Sequence, residues 1–206
     1  MKLHHINLLM TPERYERLTS VLNKRQPDIT VVLENVFDPH NISAVMRTCD
    51  AVGIQEMYIL NNRTPPPKKW GYRSSSTASE WLTIHAFEDV DACFSLLRKK
   101  YNKIYASHLG EGSASLYSLD LTQSIALVFG NETSGVHEDI LKLMDGAFII
   151  PQVGIIKSLN ISVACAVTLY EAYRQKDQAG HFSQPKLLGA DLDALKKEWG
   201  VKDNAD

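Results

Sequence analysis

The sequence predicts an α/β fold, a mostly parallel sheet with helices on both faces. Three observations predict it. Short runs rich in Val, Ile and Leu alternate with longer segments of helical period along most of the chain. One run, Ser124–Phe129 (SIALVF), is almost wholly apolar, as a strand covered on both faces must be. Polar, glycine-bearing segments follow the strands near Ser107, at Gly130–Gly135 and at Pro151–Ser158, where ligands sit in open parallel sheets.

The chain has 206 residues, enough for one ordinary domain with a real core. Hydrophobic residues make up 44% and charged residues 22%, a globular balance. No apolar run approaches the ~20 residues needed to span a bilayer. The N-terminus lacks a cleavage-site pattern, so a cytoplasmic protein is expected. Cys49, Cys93 and Cys165 are widely spaced, which predicts reduced core residues rather than disulfides or metal ligands. The formal charge of −2 excludes a uniformly basic nucleic-acid binder. Local charge differs: residues 1–25 and 61–80 each carry a net +3.

Thr11-Pro12-Glu13 reads as a cap, a proline at the first helical position and an acid at the positive dipole end. Tyr15, Leu18 and Leu22 then form an apolar stripe, with Arg14, Arg17 and Arg25 expected outward and Pro27-Asp28 ending the helix. Ile29–Val36 reads as a strand, and Asp38-Pro39 opens a helix with Ile42, Val45, Met46 and Cys49 inward and Gly53 as its stop. Arg47 falls about 140° from Ile42 on the wheel and projects away from the core. Glu56–Leu60 reads as a strand. Asn61–Ser79 is an irregular stretch with three successive prolines, mixing Arg63, Lys68, Lys69 and Arg73 with Trp70 and Tyr72, a composition suited to phosphates and unstacked bases.

Trp81–Phe87 reads as a strand, Asp89–Tyr101 as a helix, Lys103–Ser107 as a strand and Leu109–Tyr117 as a loop. A helix is expected near His137–Met144, a strand at Ala147–Ile150 and a last short helix at Asp191–Trp199. Between these last two, Ser158 reads as the N-cap of a long helix closed by Gly180. Its Leu159, Val163, Ala166, Tyr170 and Tyr173 share one face, while Ile161, Val167 and Leu169 lie off it. A helix apolar on more than one side is buried deep in its domain or against another subunit.

Familiar site patterns are missing. No GxGxxG follows the first strand, and no GxxxxGK[ST], HExxH or GxSxG occurs. No Cys/His cluster suggests a metal.

Three segments together resemble one family: ENVFDPHNISAVMRTCDAVG (Glu34–Gly53), FGNETSGV (Phe129–Val136) and IPQVGIIKSLNISVACAVTLYE (Ile150–Glu171). They are similar to motifs 1, 2 and 3 of the SpoU/TrmH branch of the SPOUT RNA 2′-O-ribose methyltransferases. The segment after Thr11 resembles the short extension of the branch that acts on guanosine 18 of tRNA. The resemblance implies an α/β knot fold with a deep trefoil knot near the C-terminus. It implies residues 29–178 as the methyltransferase domain, with helical extensions at 1–28 and 179–206.

It further implies S-adenosyl-L-methionine as cofactor, held near Ser107, Gly130, Ile150 and Leu159. Gly130, Gly135 and Gly154 would let backbone approach that ligand. By position, Arg47 matches the principal catalytic residue, with Asn41, Glu132, Ser158 and Asn160 as its companions. Arg14, Arg17, His40 and Arg174 fall where the family contacts tRNA. A homodimer with sites at the interface, no metal and no membrane complete the expectation. Methylation of ribosomal RNA or of the tRNA wobble nucleotide, and a non-catalytic RNA-binding homologue, are the competing readings.

Overall fold

The computed structural model describes residues 10–65 and 78–201. Seven strands form one sheet, in the order β3-β2-β1-β6-β4-β7-β5, and every pair in it is parallel. They are β1 (Ile29–Glu34), β2 (Glu56–Leu60), β3 (Thr83–Phe87), β4 (Lys103–Ser107), β5 (Ala114–Ser115), β6 (Ile125–Phe129) and β7 (Gly146–Ile149). β1 and β6, side by side at the centre, are buried along their whole length. The helices are α1 (Pro12–Leu22), α2 (Pro39–Ala51), α3 (Val90–Lys100), α4 (Glu138–Leu141), α5 (Ile161–Gln178) and α6 (Gly189–Trp199).

The pleat divides the core in two. Val31 and Leu33 of β1 point to the face covered by α2 and α5, where they meet Ile42, Val45, Met46, Ile161, Cys165 and Leu169. Val32 points the other way, to Cys93, Phe94 and Leu97 of α3 and Ile140 of α4. All three thiols are buried, and burial pushes those of Cys49 and Cys93 up to about 12, so both stay protonated and inert.

Several boundaries differ from the expectation. The first strand stops at Glu34 because Asn35 turns into the left-handed region with φ 53°. Helix α1 ends at Leu22, before Pro27. The loop after β4 contains the two-residue strand β5. The helix expected from Ser158 begins only at Ile161, and its N-cap is Asn160, whose side-chain oxygen accepts from the Ser162 amide over 2.9 Å. Its Leu159–Tyr173 stripe is the exposed one: Val163 and Tyr170 are about half exposed, while Cys165, Leu169 and Ala172 face the core.

Arg25, expected outward, is fully buried. It pairs with Asp50 at 2.7 Å, donates to the Ile54 carbonyl at 3.1 Å and lies 5.2 Å from the Trp199 ring. Burial lowers its pKa and the Asp50 carboxylate opposes that. The two chain ends, read as separate extensions, share a small core: Leu18 and Leu22 pack with Leu187, Leu195, Trp199 and Val201. Asp28, between Lys176 at 2.9 Å and Lys186 at 2.8 Å, ties this layer to the body. Residues 1–9, and Lys68, Lys69, Trp70, Tyr72 and Arg73 of the basic stretch, lie outside the described residues.

Candidate active site

The site is assembled at the carboxyl ends of the central strands. Asp38 caps α2 by accepting from the His40 amide at 2.9 Å, and Pro39 takes the first helical position. This cap sets Asn41 in the first turn, facing the loop after β6. Its side-chain nitrogen donates to the Glu132 carboxylate. Its side-chain oxygen accepts from the Asn160 side chain at 3.1 Å. One amide thus joins the Gly130–Gly135 loop to the start of α5, and Asn160 is a helix cap and a site residue at once.

Beside this network lies a cavity of about 350 Å³, within the ~300–1,000 Å³ range of small-molecule pockets. Ser107, Gly130, Ile150 and Leu159 line it, as do Glu132 and Ser158. Its buried lining is apolar, made by Phe129, Phe148 and Ile161, and residues 130–135 of the loop after β6 line it too. Gly130 is fixed by packing: a Cβ there would lie 2.1–2.2 Å from the Gly135 and Val136 backbone. Gly135 is required by a φ of 65°. Gly154 has open space around it and needs neither explanation.

Not all predicted residues converge. Arg47 is exposed on α2, six residues on from Asn41 and therefore ~9 Å along the axis and about a third of a turn round. It makes no ion pair among the described residues and does not line the cavity. Arg14, Arg17 and His40 are exposed. Arg174 is occupied: it forms a two-pronged pair with Glu171 at 2.7 and 2.8 Å and donates to Gln178 at 2.7 Å.

Glu34 and Asn35, which sequence reasoning passed over, sit at the end of β1, and Asn35 is bonded to the loops after β2 and β6. Glu34 is fully buried, and burial raises its pKa against the hydrogen bond from Asn35. The left-handed Asn35 binds the loop after β2. The available signal was a Glu-Asn pair at a strand end, since asparagine tolerates positive φ.

A parallel sheet whose carboxyl-end loops enclose a small-molecule cleft beside a polar network defines an enzyme of the open α/β class. Comparison with known proteins places it within that class. The model of the SpoU rRNA Methylase family matches residues 28–170. A tRNA (guanosine(18)-2′-O)-methyltransferase of Thermus thermophilus is 41% identical over 86% of this chain and 90% of its own length. The crystal structure of the A. aeolicus TrmH/SpoU tRNA modifying enzyme superposes with a TM-score of 0.84 at 33% identity, over 94% of this chain and 98% of that one. An AdoMet-bound rRNA methyltransferase from Sinorhizobium meliloti gives a TM-score of 0.66 at 25% identity, over 75% of this chain and 59% of that one. The chain belongs to the SpoU methylase family.

Proposed function

We propose that the chain transfers a methyl group from S-adenosyl-L-methionine to the ribose 2′-hydroxyl of guanosine 18 in tRNA. The observation that carries this reading is the Asn41–Glu132–Asn160 network beside the cavity lined by Ser107, Gly130, Ile150 and Leu159. A cavity lined by apolar Phe129, Phe148 and Ile161 together with polar loop residues fits an adenosine, which is apolar on its faces and polar on its edges. The tRNA reading rests on 41% identity across 90% of the Thermus enzyme; a ribosomal substrate has the support of rRNA methyltransferases at 25–34% identity, covered over 59% of their own length.

When bound, the cofactor supplies an electrophilic methyl on sulfonium. The chain's residues do the rest. Ser107, Gly130, Ile150 and Leu159 hold the adenosine part through their backbone. Asn41 and Asn160 fix Glu132 at the rim. The 2′-hydroxyl is a very weak acid, so its developing alkoxide needs stabilising. Arg47 suits that role as a fixed cation, because a guanidinium keeps its proton. Arg14, Arg17 and His40 offer exposed contacts for tRNA, and Arg174 joins them by releasing Glu171.

Arg47 lies apart from its own chain's network and does not line its own cavity, which favours a second copy bringing a cavity to it. We take the working form to be a homodimer. The exposed apolar face of α5 supports this, as do Val153, Ile155 and Ile156, which are 74–107% exposed in the loop beside the cavity. A trefoil knot is supported by strand order, with β7 wedged between the earlier β4 and β5. The end of α5 also grips residues 119–122: Gln175 accepts from the Leu121 amide at 2.8 Å and donates to the Leu119 carbonyl at 3.0 Å. Residues 29–178 form the catalytic unit, and the joined ends form one RNA-contacting layer. No helix among the described residues is long and apolar enough to cross a membrane, which suits an enzyme that meets tRNA in the cytoplasm.

The test is methyl transfer from labelled cofactor to an unmodified tRNA transcript, followed by nucleotide mapping. The expected label is on ribose 18 and is lost when guanosine 18 is replaced. Label on another nucleotide, or none while cofactor binds, overturns the reading.

A further inference from the structure

Asn35 is the one non-glycine among the described residues with a left-handed backbone. Asparagine tolerates that conformation better than other side chains, and unlike glycine it brings an amide that can hold its surroundings. Asn35 is buried, with 3% of its surface exposed. Its side-chain oxygen accepts from the amides of Arg63 at 2.9 Å and Thr64 at 3.2 Å. Its side-chain nitrogen donates to Asn62 at 2.8 Å and to Glu34. This side chain is the clasp of the loop after β2.

The backbone of the same residue faces the other way. Its carbonyl accepts from the Asn131 side-chain nitrogen at 3.0 Å. Asn131 in turn shapes the Gly130–Gly135 loop. Its side-chain oxygen accepts from the Thr133 amide and its carbonyl from the Gly135 amide, both at 2.8 Å. Glu132, held between these two bonds, meets Asn41. A continuous path of hydrogen bonds runs from residues 62–64 through Asn35 and Asn131 to the loop that carries Glu132.

We propose that Asn35 is a positioning residue for the methyl-transfer site, setting Glu132 by holding the loop after β2 and the Gly130–Gly135 loop on one residue. Its left-handed turn is what lets the side chain serve one loop and the carbonyl the other. This inference rests on the proposed function for Glu132's role but not for the path itself.

Hydrogen exchange on the protein without RNA tests the path. Asn35→Gly keeps the turn and the carbonyl bond to Asn131 but removes the clasp. The amides of Arg63 and Thr64 lose their acceptor and must exchange faster in any account. A positioning role further expects at least tenfold faster exchange at Thr133 and Gly135, the two amides bound by Asn131. It also expects kcat for methyl transfer to fall at least tenfold while cofactor affinity stays within about twofold. Thr133 and Gly135 exchanging as in the parent overturns the path. Faster exchange with kcat unchanged overturns the positioning role. If Asn35→Gly does not fold, Asn62→Ala removes one half-buried partner of the clasp and is read the same way at smaller amplitude. A protein with intact exchange coupling but no activity on tRNA leaves the path standing and counts against the proposed function instead.

Discussion

Asn160 donates from its side-chain nitrogen to the side-chain oxygen of Asn41 over 3.1 Å, and so a helix cap becomes part of a site built by another helix. The cap uses only the Asn160 oxygen; the site uses only its nitrogen. The two roles separate by substitution. Asp caps a helix about as well as Asn, so Asn160→Asp keeps the thermal midpoint within a few degrees. The carboxylate cannot donate to Asn41. If the Asn41 amide turns to satisfy it, its oxygen faces Glu132 and two acceptors oppose each other. Turnover is expected to fall tenfold or more, the worth of roughly 1.4 kcal/mol in the barrier. Parallel measurement of kcat and thermal midpoint decides; equal loss of both identifies Asn160 as a cap alone.

The buried Arg25 makes a prediction about stability. Its guanidinium spans Asp50, the Ile54 carbonyl and the Trp199 ring, and so joins α2, the segment leading into β2 and α6. Removing one partner of a buried pair leaves a charge without compensation, at ~3–5 kcal/mol in full burial. Asp50 is 37% exposed on its side chain and water reaches that end, so Asp50→Ala is expected to cost less, about 2–3 kcal/mol. Denaturant unfolding measures it. A loss under about 0.5 kcal/mol would mean that the backbone carbonyls alone satisfy Arg25.

The order of strands and helices was legible in the sequence because the apolar period tracks burial. β2 and β4 begin and end where the pattern places them, and the stripe Ile42–Val45–Met46–Cys49 is the buried one. Arg25 shows where that reasoning stops. A lone arginine after a helix looks solvated, and only the fold brings Asp50 and the C-terminal Trp199 to it. The long helix fails differently. Ser158 and Asn160 are both good caps, and the choice falls to Asn160, which the fold ties to Asn41. The motif residues were recognisable by resemblance, and Asn41, Glu132 and Asn160 do lie together. Asn35 left only a Glu-Asn pair at a strand end, because a left-handed turn is a property of backbone meeting two distant loops.

Glu56 sets an acid limit. It begins β2 at the end of the sheet away from the site and accepts from Lys100 at 2.7 Å and His85 at 3.1 Å. Burial pushes this carboxyl up, but the hydrogen bonds and charges of His85 and Lys100 outweigh it and hold it at about 2, below its ordinary 4.5. A depressed folded-state pKa adds stability above the unfolded value and loses it as pH falls through the folded one. Glu56 therefore contributes fully above pH 4.5 and loses its contribution between there and about pH 2. The amount is on the order of 2–3 kcal/mol. Glu56→Gln should be less stable at neutral pH and show a shallower loss of stability across that window. Parallel pH curves for the two proteins would remove Glu56 from the account.

Arg47 is exposed on α2, apart from the network at the helix's first turn, and that separation predicts how two chains share the chemistry. If each cavity receives Arg47 from the opposite chain, then Arg47→Ala and Glu132→Ala injure different halves of the same composite site. Each homodimer is expected to lose activity by a factor of a hundred or more, in line with removal of one preorganised electrostatic contact. A mixed dimer places both lesions in one site and leaves the other intact, as two-fold symmetry requires. With random exchange, half the dimers are mixed and one of their two sites works, so specific activity returns to roughly a quarter of the parent's. Arg47 acting within its own chain would put one lesion in every site of the mixed dimer, and mixing would restore nothing. Co-expression with two affinity tags isolates the mixed species, and methyl transfer to unmodified tRNA reads the result. Val163→Glu on the exposed face of α5 closes the argument from the other side: a chain that stays folded but sediments as a monomer must then be inactive with Arg47 and Glu132 both in place.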